Sequence, residues 1–454
     1  MTEAELSGTD SESSPRASIT VEVLLTVLLV AGFFLGPLKL LGTSWFSYLG
    51  ADAIALLILL VTFGERVGKR KPLFVQSPLS LPLLLLATLC VLELANPEAP
   101  FIRSVVGLRS WILYLSFYFV GWYALRSTEQ VERLYALLLA LGLVTAIYGV
   151  YQWQVGPESF ATWSDYYGRY ARLTWTARSG TVFRAFSTFV LPNSFGSNMA
   201  LLMLLAFGVV VSPRVRLRWR IICAVSFAAM GVGIAASGSR GPVAQLLLAA
   251  AIGLTFIPGV GRRIRIGLIA VAMGGTAVIV VVLLMGPVIS ERFSTIFDPE
   301  AFFWKWFGPF TNGIGVAKDH LFGMGLGYTA GVPQFISNPV IQELPTANID
   351  SGYGSAAAEL GFVGLGLFGF LAFKVGVEGL RNWRRIAPSR LRDLLLGPAL
   401  LAATYPIVTL IAQPQAALPS SIYYWLLIGM LMKAPALQRH DANQLLRSTV
   451  HSGK

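Results

Sequence analysis

Two arginines occupy positions that a membrane-embedded chain ordinarily avoids. Arg184 lies in Phe183-Arg184-Ala185-Phe186-Ser187-Thr188-Phe189, followed by Pro192-Asn193. Arg240 lies in Ser237-Gly238-Ser239-Arg240-Gly241-Pro242, a break between two apolar segments. A guanidinium stays charged at any relevant pH, and its planar fork gives two parallel hydrogen bonds, so it suits a phosphate or pyrophosphate. Gly238 and Gly241 let backbone and ligand approach closely beside Arg240, and Pro242 suits the first turn of a following helix. That arrangement aims a helix N-terminus and a cation at one spot, and both favour an anion. The plainer readings are a hairpin cap for Arg240 and an interfacial arginine snorkelling to headgroups for Arg184. An ionisable residue kept at a membrane is nevertheless a functional-site hypothesis by default.

Other groups could contribute. Arg169, Arg172 and Arg178 are interleaved with Tyr166, Tyr167 and Tyr170 and would contact sugar or headgroups, or simply form a solvated loop face. Arg292 and Tyr353 are further candidates for substrate binding. Asp350 precedes Ser351-Gly352-Tyr353, where a carboxylate either caps a helix or takes the proton of an acceptor hydroxyl. Glu359 sits deeper in an apolar segment, where charge is costly; a neighbouring helix must satisfy it, or it works in catalysis. His320 could act as a general base. The glycines that follow it, Gly323, Gly325 and Gly327, fail as a phosphate loop because no strand precedes them, and are read as a turn at the membrane surface. No nucleophile–base pair and no metal-ligand spacing is seen, so neither a metal nor a cofactor is expected.

The elements that must position these residues are transmembrane helices. Of the 454 residues, 55% are hydrophobic and only 13% charged, and the mean hydropathy is +0.66. Soluble chains carry about 25% charged residues and lack long apolar runs. Here runs of about 20 apolar residues recur, enough to cross a bilayer as helices, and the short alternating segments of a barrel are absent. The fold class expected is all-α, a polytopic integral membrane protein of about 12 transmembrane helices. They fall near 20–41, 47–64, 79–95, 106–125, 131–153, 190–211, 219–236, 242–259, 265–286, 352–376, 396–413 and 418–435. Residues 1–18 read as a disordered cytosolic tail, 19–436 as a single transmembrane domain, and 437–454 as a cytosolic C-terminal tail. Two long segments, 154–189 and 287–351, interrupt the domain, and the second should contain short helices. Long segments in a compact protein usually carry function.

The net charge of +12 is spread over short loops rather than gathered on one face, which argues against nucleic acid. About two thirds of the 35 basic residues lie in alternate loops, among them 66–71, 214–220, 262–265 and 381–392. Those loops are expected to face the cytoplasm, as are both termini. Arg184, Arg240, Arg292 and Asp350 then share the outer face. Cys90 and Cys223 lie inside apolar segments and imply neither a disulfide nor a metal.

The order of these landmarks resembles the O-antigen ligase and O-antigen polymerase superfamily of bacterial envelope proteins. The family's arginine, Thr-Phe and Pro-Asn pattern is similar to Arg184, Thr188-Phe189 and Pro192-Asn193, and its Ser-x-Ser-Arg-Gly break to Ser237–Gly241. Its glycine-rich loop is similar to His320–Gly327, and its next segment to Asp350-Ser351-x-Tyr353 with Glu359, Gly361 and Gly364. The likeness covers roughly residues 180–377. It implies a metal-independent glycosyltransferase of the bacterial inner membrane, active at the outer face in lipopolysaccharide or exopolysaccharide biosynthesis. The donor implied is an undecaprenyl-pyrophosphate-linked glycan, and the acceptor is a hydroxyl of a glycan or lipid. Arg184 and Arg240 would hold the donor pyrophosphate, and Asp350 would serve the acceptor. Ligases of this family carry histidine where this chain has Asp350, which shifts weight towards polymerisation or another acceptor. Two other readings compete. A transporter or flippase of lipid-linked saccharides also presents arginines to diphosphates, but needs alternating access. A structural factor of envelope assembly explains the hydropathy but not the outward arginines.

Overall fold

The computed structural model describes residues 15–38, 44–72, 77–124, 127–161, 174–177, 180–257, 259–294, 308–329, 349–413 and 418–452, with Ile296, Asp298, Pro299, Phe303 and Phe307 besides. Arg169, Arg172 and Arg178 lie outside the described residues.

Helices run through the described parts of the apolar segments expected from the hydropathy. They are α1 (Pro15–Phe33), α2 (Ser44–Gly68), α3 (Ser80–Leu92), the pair α4 (Phe101–Leu108) and α5 (Phe117–Ala124), and α6 (Thr128–Val155). After a short α7 (Glu158–Ala161) and a hairpin of β1 (Thr174–Ala177) and β2 (Gly180–Phe183) come α8 (Pro192–Val210), α9 (Leu217–Ser237), α10 (Arg240–Phe256) and α11 (Val260–Met285). The expected short helices of the second long segment are α12 (Pro287–Ser294) and α13 (Gly308–Asp319). The chain ends with α14 (Gly352–Arg385), α15 (Arg390–Leu394), α16 (Leu396–Ile411) and α17 (Ser420–Ser452). Among the described residues, 7 helices are long and apolar enough to cross a membrane, and Thr20–Phe33, Ser80–Ala95 and Arg240–Phe256 are shorter apolar helices. α11 among them carries exposed Leu268, Val271, Val282 and Leu283, as a hydrocarbon solvent demands. α1 starts at Pro15 rather than after residue 18, and α17 continues through the polar stretch to Ser452.

The segment near 106–125, amphipathic by sequence, is helical throughout most of its length but passes through a π-helical stretch, Arg109–Leu113. Arg109 there meets Asp52 of α2 through its Nε, and its Nη2 donates to the Tyr114 hydroxyl at 2.7 Å. The costly charge in the span is thus answered by a carboxylate on a neighbouring helix, the usual condition for an intramembrane arginine.

The core is aromatic where α14, α16 and α17 meet. Tyr405 stacks on Tyr424 with centroids 5.0 Å apart, and Trp111 meets Phe368 edge-on at 5.4 Å. A second, smaller apolar cluster matters more for function. It gathers Phe160 of α7, Phe183, Ala185 and Phe186 around the end of the hairpin, Val232, Ala235 and Ala236 of α9, and Met285, with Phe293 of α12 packed against it. These residues flank Arg184, the turn before Arg240, and Arg292.

The unexpected element is the hairpin. Thr174 pairs with Phe183 and Ala177 with Gly180, antiparallel. Its signal was present in Thr-Trp-Thr followed by Thr-Val-Phe, β-branched and aromatic residues on either side of a two-residue connection.

Candidate functional site

Beyond β2 the chain does not enter a helix at once. Residues 184–189 thread, non-helical, through the interior. Ala185, Phe186, Ser187, Thr188 and Phe189 are all buried. Non-helical backbone is tolerated at such depth only when protein satisfies its polar groups. Ala185 N donates to Ala236 O of α9 at 3.0 Å, and Thr188 O accepts from Gly36 N at 2.9 Å. The Gln152 Oε1 on α6 accepts from both Phe186 N, at 2.9 Å, and Ser187 N, at 2.8 Å. Ser187 Oγ donates to Thr145 O at 2.6 Å, and Thr188 Oγ1 to Phe33 O at 2.6 Å. Ser187 is held at φ +55°, a left-handed conformation uncommon for a non-glycine residue, and such strain persists only where the surroundings over-determine it. Gln152 was not foreseen as part of the site. Replacing it with leucine is expected to orphan two buried N–H donors and to lower stability by about 1–3 kcal/mol for each, read as a fall in the thermal midpoint of the detergent-solubilised protein.

This clamped segment delivers Arg184 to the break between α9 and α10. Its Nε donates to Ser237 O at 2.9 Å, and its Nη2 donates to Asn193 Oδ1 at 2.8 Å and Ser239 Oγ at 3.2 Å. The Arg184 side chain lies over Gly238, which ends α9 at φ +59°. From the other side Arg292, in the last turn of α12, donates through Nε to Gly238 O at 3.2 Å. Two arginines from distant parts of the chain therefore grip successive carbonyls of one turn, and the second residue past Gly238 is Arg240 itself. Arg240 occupies the first position of α10 and is 9% exposed, as is Arg292. Replacing Gly238 with alanine puts a Cβ into left-handed backbone and should cost about 1–2 kcal/mol, measurable by the same thermal assay.

The electrostatics follow from this packing. Burial lowers the affinity of the Arg184 guanidinium for its proton, and neighbouring Arg240 lowers it further. Arg292 is pushed down to about 10, first by burial and then by Arg240 and Arg184, so it remains charged at neutral pH. Asp298, exposed beyond α12, is a carboxylate that acts on Arg240. A cation at the first position of a helix also stands at the positive end of the helix dipole. Three guanidiniums and a helix N-terminus thus reinforce one another, an arrangement that favours an anion carrying more than one charge.

The remaining candidates lie on separate frameworks. Asp350 is exposed, one residue ahead of the helix cap. The N-cap of α14 is Ser351, whose Oγ accepts from Gly354 N at 3.1 Å. Nearby Gly352 N donates to Ala412 O at 3.0 Å, tying the start of α14 to the end of α16. Of the two roles open to Asp350, Ser351 fills the cap. Replacing Ser351 with alanine is expected to cost about 1 kcal/mol, whereas Asp350→Asn should leave the thermal midpoint in place. Tyr353, a substrate-binding candidate, is turned into the bundle: its hydroxyl donates to Pro406 O at 2.8 Å and its ring meets Phe368 at 5.6 Å. Those two contacts fix its side chain between α14 and α16. His320 ends α13, with Nδ1 3.9 Å from the Glu98 carboxylate.

Glu359 is a structural anchor. It is 3% exposed, and its carboxylate accepts from Trp111 Nε1 at 2.8 Å, Thr329 N at 2.9 Å and Thr329 Oγ1 at 2.6 Å. The turn that it holds contains Gly323, Gly325 and Gly327, all near φ +80°, lodged against a kink in α14 at Gly361. Met324 N donates to Ala358 O at 2.8 Å, and the Met324 carbonyl accepts from buried Arg103 at 2.7 Å. The glycines shape a turn.

Comparison with protein-family models finds no match to this chain, and comparison with curated proteins finds none either.

Proposed function

We propose that the chain is a membrane glycosyltransferase that moves a glycan from an undecaprenyl-pyrophosphate donor to an acceptor hydroxyl, of the O-antigen polymerase or ligase type. The reading rests on the resemblance of its motifs and on one physical observation, the convergence of Arg184, Arg240 and Arg292 on a single turn. It further takes all twelve helical segments as crossings of the bacterial inner membrane with both termini in the cytoplasm. In that topology the arginine cluster, the start of α14 and the turn at 320–329 share the extracytoplasmic face.

In the reaction proposed, the acceptor oxygen attacks the anomeric carbon of the donor sugar, and the bond from that carbon to the pyrophosphate oxygen breaks. The electron pair leaves with the diphosphate. Arg184, Arg240 and Arg292 bind that diphosphate and stabilise its growing charge, a task that preorganised donors perform well away from bulk water. Asp350 accepts the proton of the acceptor hydroxyl or orients it. Arg178 remains a candidate contact to the donor. The non-helical segment 184–189 makes the guanidinium positions rigid, so little reorganisation is needed as charge develops.

The test is turnover by the purified chain in detergent, with a pyrophosphate-linked glycan as donor and no membrane gradient. Release of undecaprenyl pyrophosphate with transfer of the glycan is expected, and a ladder of products would distinguish polymerisation from single ligation. Absence of turnover in detergent, together with donor translocation by the same protein in vesicles, would establish the transporter or flippase reading instead.

A further inference from the structure

At the end of the bundle opposite the arginine cluster, a cavity of about 320 Å³ is lined by Pro213, Arg214, Gly261, Arg265 and Asp393. The separation follows from the helices. α8 runs from Pro192 at the cluster to Val210, and α9 returns from Leu217 to Ser237. Roughly 28 Å of helix lies between the two sites, close to the hydrocarbon thickness of a bilayer.

Charge in this cavity is not balanced. Asp393 is 2% exposed and accepts from Ser212 Oγ at 2.9 Å and from Arg214 Nη1 at 2.8 Å, so that carboxylate is already answered. Arg265 is exposed, and among the described residues no hydrogen bond or ion pair engages it. Its neighbours differ. Arg220 Nε donates to Val210 O at 2.8 Å, Arg263 Nε to Ile257 O at 2.5 Å, and Arg384 Nη2 to Phe256 O at 2.8 Å. Those three satisfy carbonyls at helix ends, a common structural task. Among the described residues Arg265 has no such task, and the Arg214 side chain is 42% exposed beyond its bond to Asp393.

The surroundings are apolar and outward. Only 11% of the apolar stretch of α11 is buried, which makes it an edge helix. Ile264, Leu268 and Val271 on α11, and Leu217 and Ile221 on α9, are more than half exposed. Trp219, an interfacial residue type, lies in the first turn of α9. A ligand matching this site carries a phosphate at one end and acyl chains at the other. Basic pockets between transmembrane helices take such headgroups.

We propose that the cavity binds the phosphate of an anionic phospholipid, with Arg265 and Arg214 as its cations and the acyl chains laid along α9 and α11. The site is independent of the glycan donor, and its test does not read transfer activity. Two variants separate charge from space. Arg265→Gln removes the cation. Gly261→Leu puts a side chain at the cavity wall without changing any charge, and a Cβ there meets no described atom beyond its chain neighbours and its own helix backbone within 4 Å. The full-length chain is placed in nanodiscs of phosphatidylcholine with a fraction of phosphatidylglycerol, released, and the retained lipid is identified by native mass spectrometry. The wild type is expected to retain phosphatidylglycerol in preference to phosphatidylcholine. Arg265→Gln should reduce that retention about fivefold, the scale of one arginine near a lipid surface; Gly261→Leu should reduce it by obstruction, and Arg265→Lys should keep most of it. Wild-type retention by monodisperse Arg265→Gln and Gly261→Leu proteins would overturn the proposal. So would glycerol 3-phosphate displacing the lipid and giving equal thermal protection, which would make the ligand a soluble phosphate compound.

Discussion

Arg240→Ala is expected to lower glycan transfer about 10²–10³-fold, the range seen when one preorganised donor is removed from a developing anion. Arg240 sits at the first position of α10, and its loss leaves in place the hydrogen bonds that Arg184 and Arg292 make to the preceding turn. The variant should therefore fold, and its defect should appear in turnover rather than in the thermal midpoint. Arg184→Ala is expected to be at least as severe. It also removes bonds to Ser237, Asn193 and Ser239, so some of its effect passes through the shape of the turn. Arg184→Lys separates the two contributions, because lysine keeps the charge but loses the planar fork. The double alanine variant should fall short of the product of the single effects, as expected for residues that act on one group. The measurement is release of undecaprenyl pyrophosphate from a glycan-loaded donor by purified protein. Turnover at the wild-type rate in both alanine variants would remove the basis for assigning this cluster to the donor.

The second large effect concerns stability. Glu359→Ala is expected to cost about 3–5 kcal/mol, the scale for leaving buried charges and donors without their partner. Three donors from Trp111 and Thr329 would be left facing a void, and buried Arg103 would lose the nearby carboxylate that acts on it. The turn from His320 to Thr329 should loosen, and protection of the Thr329 amide in hydrogen exchange should drop with it. Glu359→Gln should cost less, since one oxygen still accepts the Thr329 bonds, but its new NH2 would oppose the Trp111 indole N–H. A thermal midpoint unchanged in Glu359→Ala would show that the carboxylate does not hold the turn.

The site was only partly legible in the chain. Arg184 and Arg240 stood out because charge is rare in so apolar a sequence, and Arg292 followed from its place on the expected outer face. The residues that hold them did not stand out. Gln152 lies 34 positions from Ser187's neighbour Phe186, and nothing in the spacing of an amide on α6 announces that it accepts from two amides of a later loop. Asn193 was visible as part of a pattern but not as the acceptor for Arg184. The contacts of Tyr353 were not legible either, since its place in the sequence does not say which neighbours it meets across α14. Two residues along a helix turn a side chain through about 200°, and that rotation sends Tyr353 towards Pro406 and Phe368.

What the amino-acid order determined unaided is the solvent and the element type. Runs of apolar residues leave the backbone no partner except its own helix, so hydropathy alone marks the apolar runs as helical. The Gly238 turn and the glycines at 323, 325 and 327 were local matters for the same reason: unusual dihedrals are a property of single residues. What only the tertiary structure decided is convergence. Whether Arg184, Arg240 and Arg292 meet depends on how α6, α8, α9 and α12 pack, and packing energy is summed over many contacts between residues remote in sequence. The same holds for the identity of the cap at α14, for the partner of Glu359, and for the placement of Arg109 against Asp52. Each is settled by which neighbour can satisfy a polar group once water has been excluded, and that neighbour is chosen by the fold.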